Sequence, residues 1–213
     1  MTLEQIKYKD LPPGQIEEKS FEIITKELGD IILSPDQAPI IKRVIHTTAD
    51  FDYVKNLCFS EKAVENFHRA IIEGACIVTD TQMAKSGINK KVLQKYGGEV
   101  FCFMSDEDVA AKAKETGQTR AAVSMYKAAE LDRDLIFAIG NAPTALIELY
   151  QLIQAKKISP KGIIGVPVGF VNVVEAKELI METACPYIVA RGRKGGSNVA
   201  AAVCNALLYE LGR

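Results

Sequence analysis

Five short apolar segments, each followed by a stretch of helical periodicity, constrain the fold of this chain more than any other feature of its sequence. They are rich in Val, Ile and Phe and end at small or polar turn residues: Ala75–Thr79, Glu99–Met104, Asp134–Ile139, Gly162–Val166 and Pro186–Ala190. Nearly continuous apolar runs of this length are typical of parallel strands buried on both faces. The alternation predicts an α/β fold in which helices cover both faces of a five-stranded parallel sheet.

The region before the first predicted strand is helical in pattern. It contains IEEKSFEIITKEL, a segment from Asp36 to about Thr48, and a segment from Ser60 to about Glu73. No linker, repeat or low-complexity tract divides the chain, and 213 residues are enough to bury a substantial core. We therefore expect one domain that spans residues 1–213.

Composition narrows the classes of partner. The formal net charge of −1 provides no general attraction for nucleic acid or an anionic membrane, so an anionic ligand requires a local basic cluster. The five cysteines form no CxxC pair and resemble buried thiols of a reducing compartment rather than metal ligands. The N-terminus is too polar for a signal peptide and no apolar run could cross a bilayer, so we expect a cytoplasmic protein.

One of only two histidines lies in a helix with two distinct faces. At 100° per residue, the apolar side chains of DQAPIIKRVIHTTAD share one arc: Ile40, Ile41, Val44, Ile45 and Thr48. Arg43, His46, Thr47 and Asp50 fall on the opposite side. A histidine titrates near pH 6.5 and can donate a proton at cytosolic pH, so His46 is a candidate acid. A merely solvated polar face remains the alternative. His68, beside the apolar stripe of its own helix, is interpreted as structural.

The loop after the fifth strand carries the strongest anion-binding signal. Its sequence is RGRKGGS, from Arg191 through Arg193 and Lys194 to Ser197, and an alanine-rich helix follows. Glycines expose backbone N–H groups, Ser197 can cap the helix, and a helix N-terminus favours negative charge. The loop matches neither the Walker pattern nor GxGxxG, so a nucleotide is disfavoured. An ordinary exposed connection is the alternative.

Other strand ends give weaker signals. Open α/β sheets bind ligands at the carboxyl ends of their strands. At or near these ends lie Thr79, the segment from Asn141 to Thr144, and Arg120 at the start of a helix. Each is also compatible with ordinary turn or surface chemistry.

Taken together, these segments resemble the precorrin-8 methylmutase family, in its cobalt-containing and metal-free forms. The matching segments, in the order of the family, are IEEKSFEII, KRVIH followed by DF, TDTQM, TRAAVSM, AIGNAPTAL, VPVGFVNVVEAKE and RGRKGGSNVAAA. The ordered set spans the chain from about residue 15 to its end. The chain departs from the family pattern at two positions: Asn172 stands where the family usually has a glycine, and Lys194 is a cation that not all members have. Neither departure affects the proposed chemistry.

The resemblance implies a flavodoxin-like three-layer α/β/α sandwich that forms homodimers with sites near the subunit interface. It implies a 1,5-sigmatropic shift of a methyl group from carbon 11 to carbon 12 of an anionic corrinoid substrate, without a cofactor or a protein-bound metal. His46 matches the family's proton donor, and Ser20 and Arg43 match its substrate contacts. We extend the substrate-binding site to Thr79, Arg120, Asn141, Thr144, Arg191, Arg193 and Ser197. A non-catalytic tetrapyrrole-binding protein and a flavodoxin-like enzyme acting on a phosphorylated metabolite are the alternatives.

Overall fold

The structure is a computed structural model that describes residues 12–212. In this part of the chain, helices cover both faces of a six-stranded sheet. The strands are β1 (Leu57–Phe59), β2 (Cys76–Thr79), β3 (Val100–Phe101), β4 (Leu135–Ile139), β5 (Gly162–Gly165) and β6 (Tyr187–Ala190). The first six helices are α1 (Pro13–Leu28), α2 (Ala38–Thr48), α3 (Tyr53–Asn56), α4 (Ala63–Ile72), α5 (Gln82–Gly87) and α6 (Lys90–Gln94). The others are α7 (Glu107–Thr116), α8 (Arg120–Ala129), α9 (Pro143–Gln154), α10 (Val173–Met181) and α11 (Ser197–Glu210).

The sheet order is β1-β6-β5-β4-β2-β3, and every neighbouring pair except β1–β6 is parallel. The five predicted parallel strands are all present, and their order is the flavodoxin-like one, with the second strand at the edge beside the first. The predicted count of five is nevertheless wrong. The short β1 pairs with β6 in antiparallel register, Cys58 opposite Val189, and adds a sixth strand at one edge.

Alternate residues of each strand face opposite helical layers, as the two-residue period of a strand requires. In β4, Ile136 and Ala138 pack in a cluster with α2, α4 and α11, whereas Phe137 and Ile139 pack with α8, α9 and α10. The helical region predicted before the first parallel strand is confirmed from residue 12 onward and joins the first of these layers. Residues 1–11 lie outside the described part.

Two local observations complete the fold. Asn172, at the usual glycine position, adopts a left-handed conformation with φ 55°, which glycine and asparagine tolerate best. None of the described helices is long and apolar enough to span a membrane.

Candidate functional site

His46 lies on the outer face of α2, as the helical projection predicts. The inner face buries Ile40, Ile41, Val44 and Ile45, while the imidazole is exposed. The ring stacks on Phe21 of α1, with centroids 5.4 Å apart and planes at 23°. No hydrogen bond to either ring nitrogen is present within residues 12–212. Stacking therefore orients the imidazole and leaves both nitrogens available to a ligand.

Arg43 lies one turn before His46 and is already engaged by the protein. Its Nη2 donates to Glu17 Oε1 at 2.6 Å, and its guanidinium carbon lies 4.9 Å from the Phe21 ring centroid and 5.0 Å from that of Tyr209. The side chain thus joins α1, α2 and α11 and stabilises the surroundings of His46. Its positive charge is partly neutralised by Glu17, so Arg43 attracts an anionic ligand less strongly than an unpaired arginine would.

Ser20 lies on α1, next to the ring that stacks on His46. Its hydroxyl donates to the Ile16 carbonyl of its own helix at 2.9 Å, and the side chain is half-buried. A hydroxyl oxygen bonded in this way still accepts a hydrogen bond. The structure therefore places Ser20 on α1 and Arg43 and His46 on α2, and these two helices are joined by the contacts of Arg43 and His46 with Phe21.

The other histidine occupies a different setting. His68 in α4 is half-buried, and its Nε2 lies 3.5 Å from Glu210 Oε2 without forming a hydrogen bond. Burial lowers the pKa of its imidazole. These observations agree with the structural interpretation of His68 and make it a natural control for His46.

The carboxyl ends of β2 and β4 are joined by the buried carboxylate of Asp80. Asp80 Oδ1 accepts from Gly140 N at 2.9 Å, and Oδ2 accepts from Asn141 N at 2.8 Å and Ala142 N at 2.6 Å. Burial raises the pKa of Asp80, and these N–H bonds oppose the rise. Asp80 therefore fixes the β4 loop at the point where the strand order reverses, which is where ligands bind in such sheets.

Thr79 does not present a hydroxyl at this edge. It is fully buried, and its Oγ1 lies within hydrogen-bonding distance of the carbonyls of Thr81 and Phe101, at 3.1 and 3.2 Å. A hydroxyl directed at main-chain carbonyls inside the protein supports the strand end. We therefore interpret Thr79 as a residue that shapes the edge.

The strand-end loops meet around the start of α11. Thr81 Oγ1 and Ser197 Oγ are 2.8 Å apart, so the β2 end is joined to the first residue of α11. A Cβ on Gly140 would lie 2.7 Å from Gly196 O and from the Ser197 Cα, which means that the β4 loop passes directly over the loop after β6. The predicted residues Asn141 and Ser197 are consequently neighbours at one edge.

A second polar group lies at the N-termini of α8 and α9. Thr119 caps α8, accepting from Ala122 N at 3.1 Å, and its Oγ1 lies 2.8 Å from Thr144 Oγ1 in the first turn of α9. Arg120 is exposed beside this pair, and Asn141 is exposed in the preceding loop. The predicted residues Arg120, Asn141 and Thr144 therefore share one side of the sheet edge.

The three cations of the basic loop, defined here as residues Arg191–Gly196, are not equivalent. Arg191 Nε and Nη2 donate to the two carboxylate oxygens of Glu178 at 2.9 and 3.0 Å. Lys194 Nζ donates to Asp50 Oδ2 and Asp52 Oδ2, both at 2.6 Å. Arg193 contacts the exposed ring of Phe170 at 5.4 Å and has no carboxylate partner among the described residues. Arg193 is thus the cation of this loop that remains available to an anion.

Lys194 also connects the two parts of the site. Its partners Asp50 and Asp52 follow α2, and Asp50 lies four residues beyond His46. Hydrogen bonding from the ammonium lowers the pKa of the Asp50 carboxyl. The C-terminal end of the histidine helix is therefore tied to the basic loop, which places both at the same region of the molecular surface.

No three His, Cys, Asp or Glu side chains of the described residues converge in a way that could hold a metal ion. The buried thiols of Cys185 and Cys204 have pKa values raised to about 12 by burial, so they are poor thiolate ligands. The polar groups at the sheet edge instead suit an anionic organic ligand. Fold and site together define a class, a flavodoxin-like α/β protein with an anion-binding edge and an accessible histidine.

Comparison with known proteins identifies the family. The precorrin-8X methylmutase family model matches residues 15–210. Cobalt-precorrin-8 methylmutase of Priestia megaterium is 46% identical over 195 residues, covering 92% of this chain and 87% of that protein. The Salmonella typhimurium enzyme of the same name is 45% identical over 205 residues, covering 93% and 96%. The crystal structure of precorrin-8X methylmutase from Thermus thermophilus superposes with a TM-score of 0.82 at 40% identity, covering 91% of this chain and 96% of that one.

The chain therefore belongs to the precorrin-8X methylmutase family. It is an isomerase of corrin biosynthesis that moves a methyl group within one molecule. This assignment excludes both alternatives left open by the sequence, the non-catalytic binding protein and the enzyme of a phosphorylated metabolite.

Proposed function

We propose that this enzyme shifts the methyl group from carbon 11 to carbon 12 of precorrin-8, preferring the cobalt-containing form. The observation that carries the proposal is the family match over residues 15–210, because it includes every segment of the site. The cobalt preference is supported by relatives. Relatives named cobalt-precorrin-8 methylmutase range from 36% to 46% identity. Proteins named precorrin-8X methylmutase stand at 40% for the Thermus thermophilus structure and at 37% and 34% for two further relatives.

The proposed chemistry requires positioning and one proton. In a sigmatropic shift the bond from the methyl group to carbon 11 breaks as the bond to carbon 12 forms, and the conjugated double bonds rearrange. His46 donates a proton to a ring nitrogen of the macrocycle during this rearrangement. The product is an isomer of the substrate, so the ring releases one proton to solvent as it gains one from His46, and solvent then reprotonates His46. No oxidant, reductant or group carrier takes part, and any cobalt arrives within the substrate.

The substrate's carboxylates are the groups that the remaining residues would hold. Ser20 and Arg43 contact the corrinoid macrocycle near His46. Arg193, whose guanidinium has no carboxylate partner among the described residues, binds a peripheral carboxylate. The buried Thr79 supports the strand end without touching the substrate. The other predicted contacts line the same edge: Arg120, Asn141, Thr144, Arg191 and Ser197. The exposed ring of Phe170, which is 82% accessible, offers an apolar surface for a face of the macrocycle.

We further propose that the protein acts as a cytoplasmic homodimer and as a single domain over residues 1–213. Several apolar side chains near the active edge are exposed in one subunit: Met83, Val168, Phe170 and Val171. Apolar surface of this kind favours cover by a ligand or a second subunit. A site completed by the partner would also exclude water from the macrocycle during the shift.

The proposal is tested by adding purified enzyme to cobalt-precorrin-8 or to precorrin-8 alone and following the absorption spectrum. We expect conversion to cobyrinate or hydrogenobyrinate without a change in mass, and a higher kcat/KM for the cobalt form. Denatured enzyme is the control for spontaneous rearrangement. Absence of product with both substrates would contradict the proposed reaction, and a higher kcat/KM for the metal-free substrate would contradict the cobalt preference.

A further inference from the structure

Lys177 is a fully buried cation whose charge no carboxylate of the described residues neutralises. It lies on the inner face of α10 with no solvent exposure, and its Nζ donates to Gly192 O at 2.7 Å and Lys194 O at 2.9 Å. Burial lowers the pKa of its ammonium to about 8. An apolar residue in this position would avoid the desolvation cost. We therefore expect Lys177 to contribute to function, through the basic loop whose carbonyls it contacts.

The two carbonyls that converge on Lys177 determine the direction of two N–H groups. In a trans peptide unit the N–H points away from the preceding carbonyl. Because the carbonyls of Gly192 and Lys194 point at one ammonium, the N–H groups of Arg193 and Gly195 point away from it. Neither N–H is hydrogen-bonded within residues 12–212. The carbonyl between them, that of Arg193, instead accepts from Gly169 N at 3.2 Å.

The remainder of the basic loop is held tightly against the end of β5. Gly196 N donates to Val166 O at 2.9 Å, and a Cβ on Gly195 would lie only 2.0 Å from the same oxygen. The loop therefore cannot move toward the sheet. Two N–H groups without a partner among the described residues are thus directed away from the buried ammonium, in the loop that also carries the exposed Arg193 guanidinium, and such backbone donors suit a carboxylate.

We propose that Lys177 is a positioning residue, which holds the basic loop so that the N–H groups of Arg193 and Gly195 bind one side-chain carboxylate of the corrinoid. The inference rests on the proposed function, because that function supplies the carboxylate. Lys177 does not touch the substrate. It acts through the orientation of two peptide units, and its buried charge adds to the attraction for the anion.

The first test replaces Lys177 by methionine, which preserves length and removes both donors and the charge. We expect the Kd for the product corrinoid to rise about 10- to 100-fold, since charge-assisted hydrogen bonds are lost, while the single-turnover rate of saturated enzyme stays within threefold. The difference in Kd between wild type and Lys177→Met should disappear for a corrinoid whose carboxylates are esterified, because the N–H groups of the basic loop then have no anion to bind. A purely structural role would weaken both ligands equally, and that result would overturn the proposal.

A second measurement uses the wild-type enzyme and therefore does not depend on a variant that folds. Titration of the ¹⁵N-labelled protein with the product corrinoid should shift the amide protons of Arg193 and Gly195 downfield, as hydrogen bonding to a carboxylate does. Unshifted Arg193 and Gly195 amides at saturation would overturn the inference. If wild-type enzyme binds no corrinoid and forms no product, the proposed function itself fails, which is a different result from an active enzyme with unchanged amides.

Discussion

Replacement of Arg193 by methionine tests whether one cation of the basic loop dominates recognition of the substrate. The guanidinium has no carboxylate partner in the described chain and is held over the exposed Phe170 ring, 5.4 Å from its centroid. A hydrogen bond between charged groups contributes about 1.5–3 kcal/mol. Loss of one such contact therefore predicts a Kd that is about 10- to 150-fold weaker. Methionine keeps an apolar side chain against Phe170, so the change isolates the charge.

Arg191→Met is the matched control, two residues away in the same loop. The Arg191 guanidinium already donates twice to Glu178, at 2.9 and 3.0 Å, so its charge is largely compensated before any ligand binds. Its removal leaves the Glu178 carboxylate unpaired at an exposed position, where solvent screens most of the repulsion. We therefore expect the Kd to weaken by no more than about threefold. Arg191→Met combined with Glu178→Gln should return close to the wild-type value.

The assay is a fluorescence or absorbance titration with the product corrinoid, paired with single-turnover kinetics at saturating substrate. Contacts made equally in the ground and transition states change Kd and leave the rate of bound substrate intact. An Arg191→Met variant that loses as much affinity as Arg193→Met would refute the argument from ion pairing. An Arg193→Met variant with an unchanged Kd would remove this residue from the site.

Three further predictions concern stability and chemistry. Asp80→Asn should lower the free energy of unfolding by about 2–4 kcal/mol in urea titrations. The reason is that the side-chain NH₂ of asparagine would face a backbone N–H that now donates to the carboxylate. A loss below about 0.5 kcal/mol would contradict the role of Asp80 at the sheet edge. Activity should persist after dialysis against chelators with purified substrate alone, and activity restored only by an added metal, flavin or nicotinamide would refute the cofactor-free mechanism. Lys177 has a folded-state pKa of about 8, below its usual 10.5, so the unfolded state binds more protons between these values and the folded state gains stability as pH rises. The stability of wild type relative to Lys177→Met should therefore increase by about 1–2 kcal/mol from pH 7.5 to 9.5, and a constant difference would contradict the burial of an ammonium.

Local pattern was sufficient to predict the parallel sheet but not its edge. The four- and five-residue strands are apolar on both faces, and such runs are recognisable without knowledge of their neighbours. Strand β1 has three residues, Leu57–Phe59, and exists because it pairs with a segment more than 120 residues away in the chain. No local signal of periodicity can be read from so short a segment.

The site was predictable where a residue's environment follows from its own helix. The 100° projection placed His46 on the exposed face of α2, and this is confirmed. It could not reveal that Lys194 pairs with Asp50, since the two are separated by 144 positions. Lys177 was missed although a signal existed. It lies between Val173 and Ile180 at core spacing, and a lysine on the apolar stripe of a helix indicates a buried function.

The most direct test of the account is the single-turnover rate of His46→Ala, with His68→Ala as the matched control. His46 has an exposed ring whose nitrogens bond to none of the described residues, whereas His68 is half-buried beside Glu210. We predict that His46→Ala keeps its Kd for the product corrinoid within threefold and its melting temperature, yet loses about 10²- to 10⁴-fold in the rate of methyl migration, as general-acid residues typically do. His68→Ala should keep the rate. A His46→Ala rate within threefold of wild type would contradict the assignment of this histidine as the proton donor.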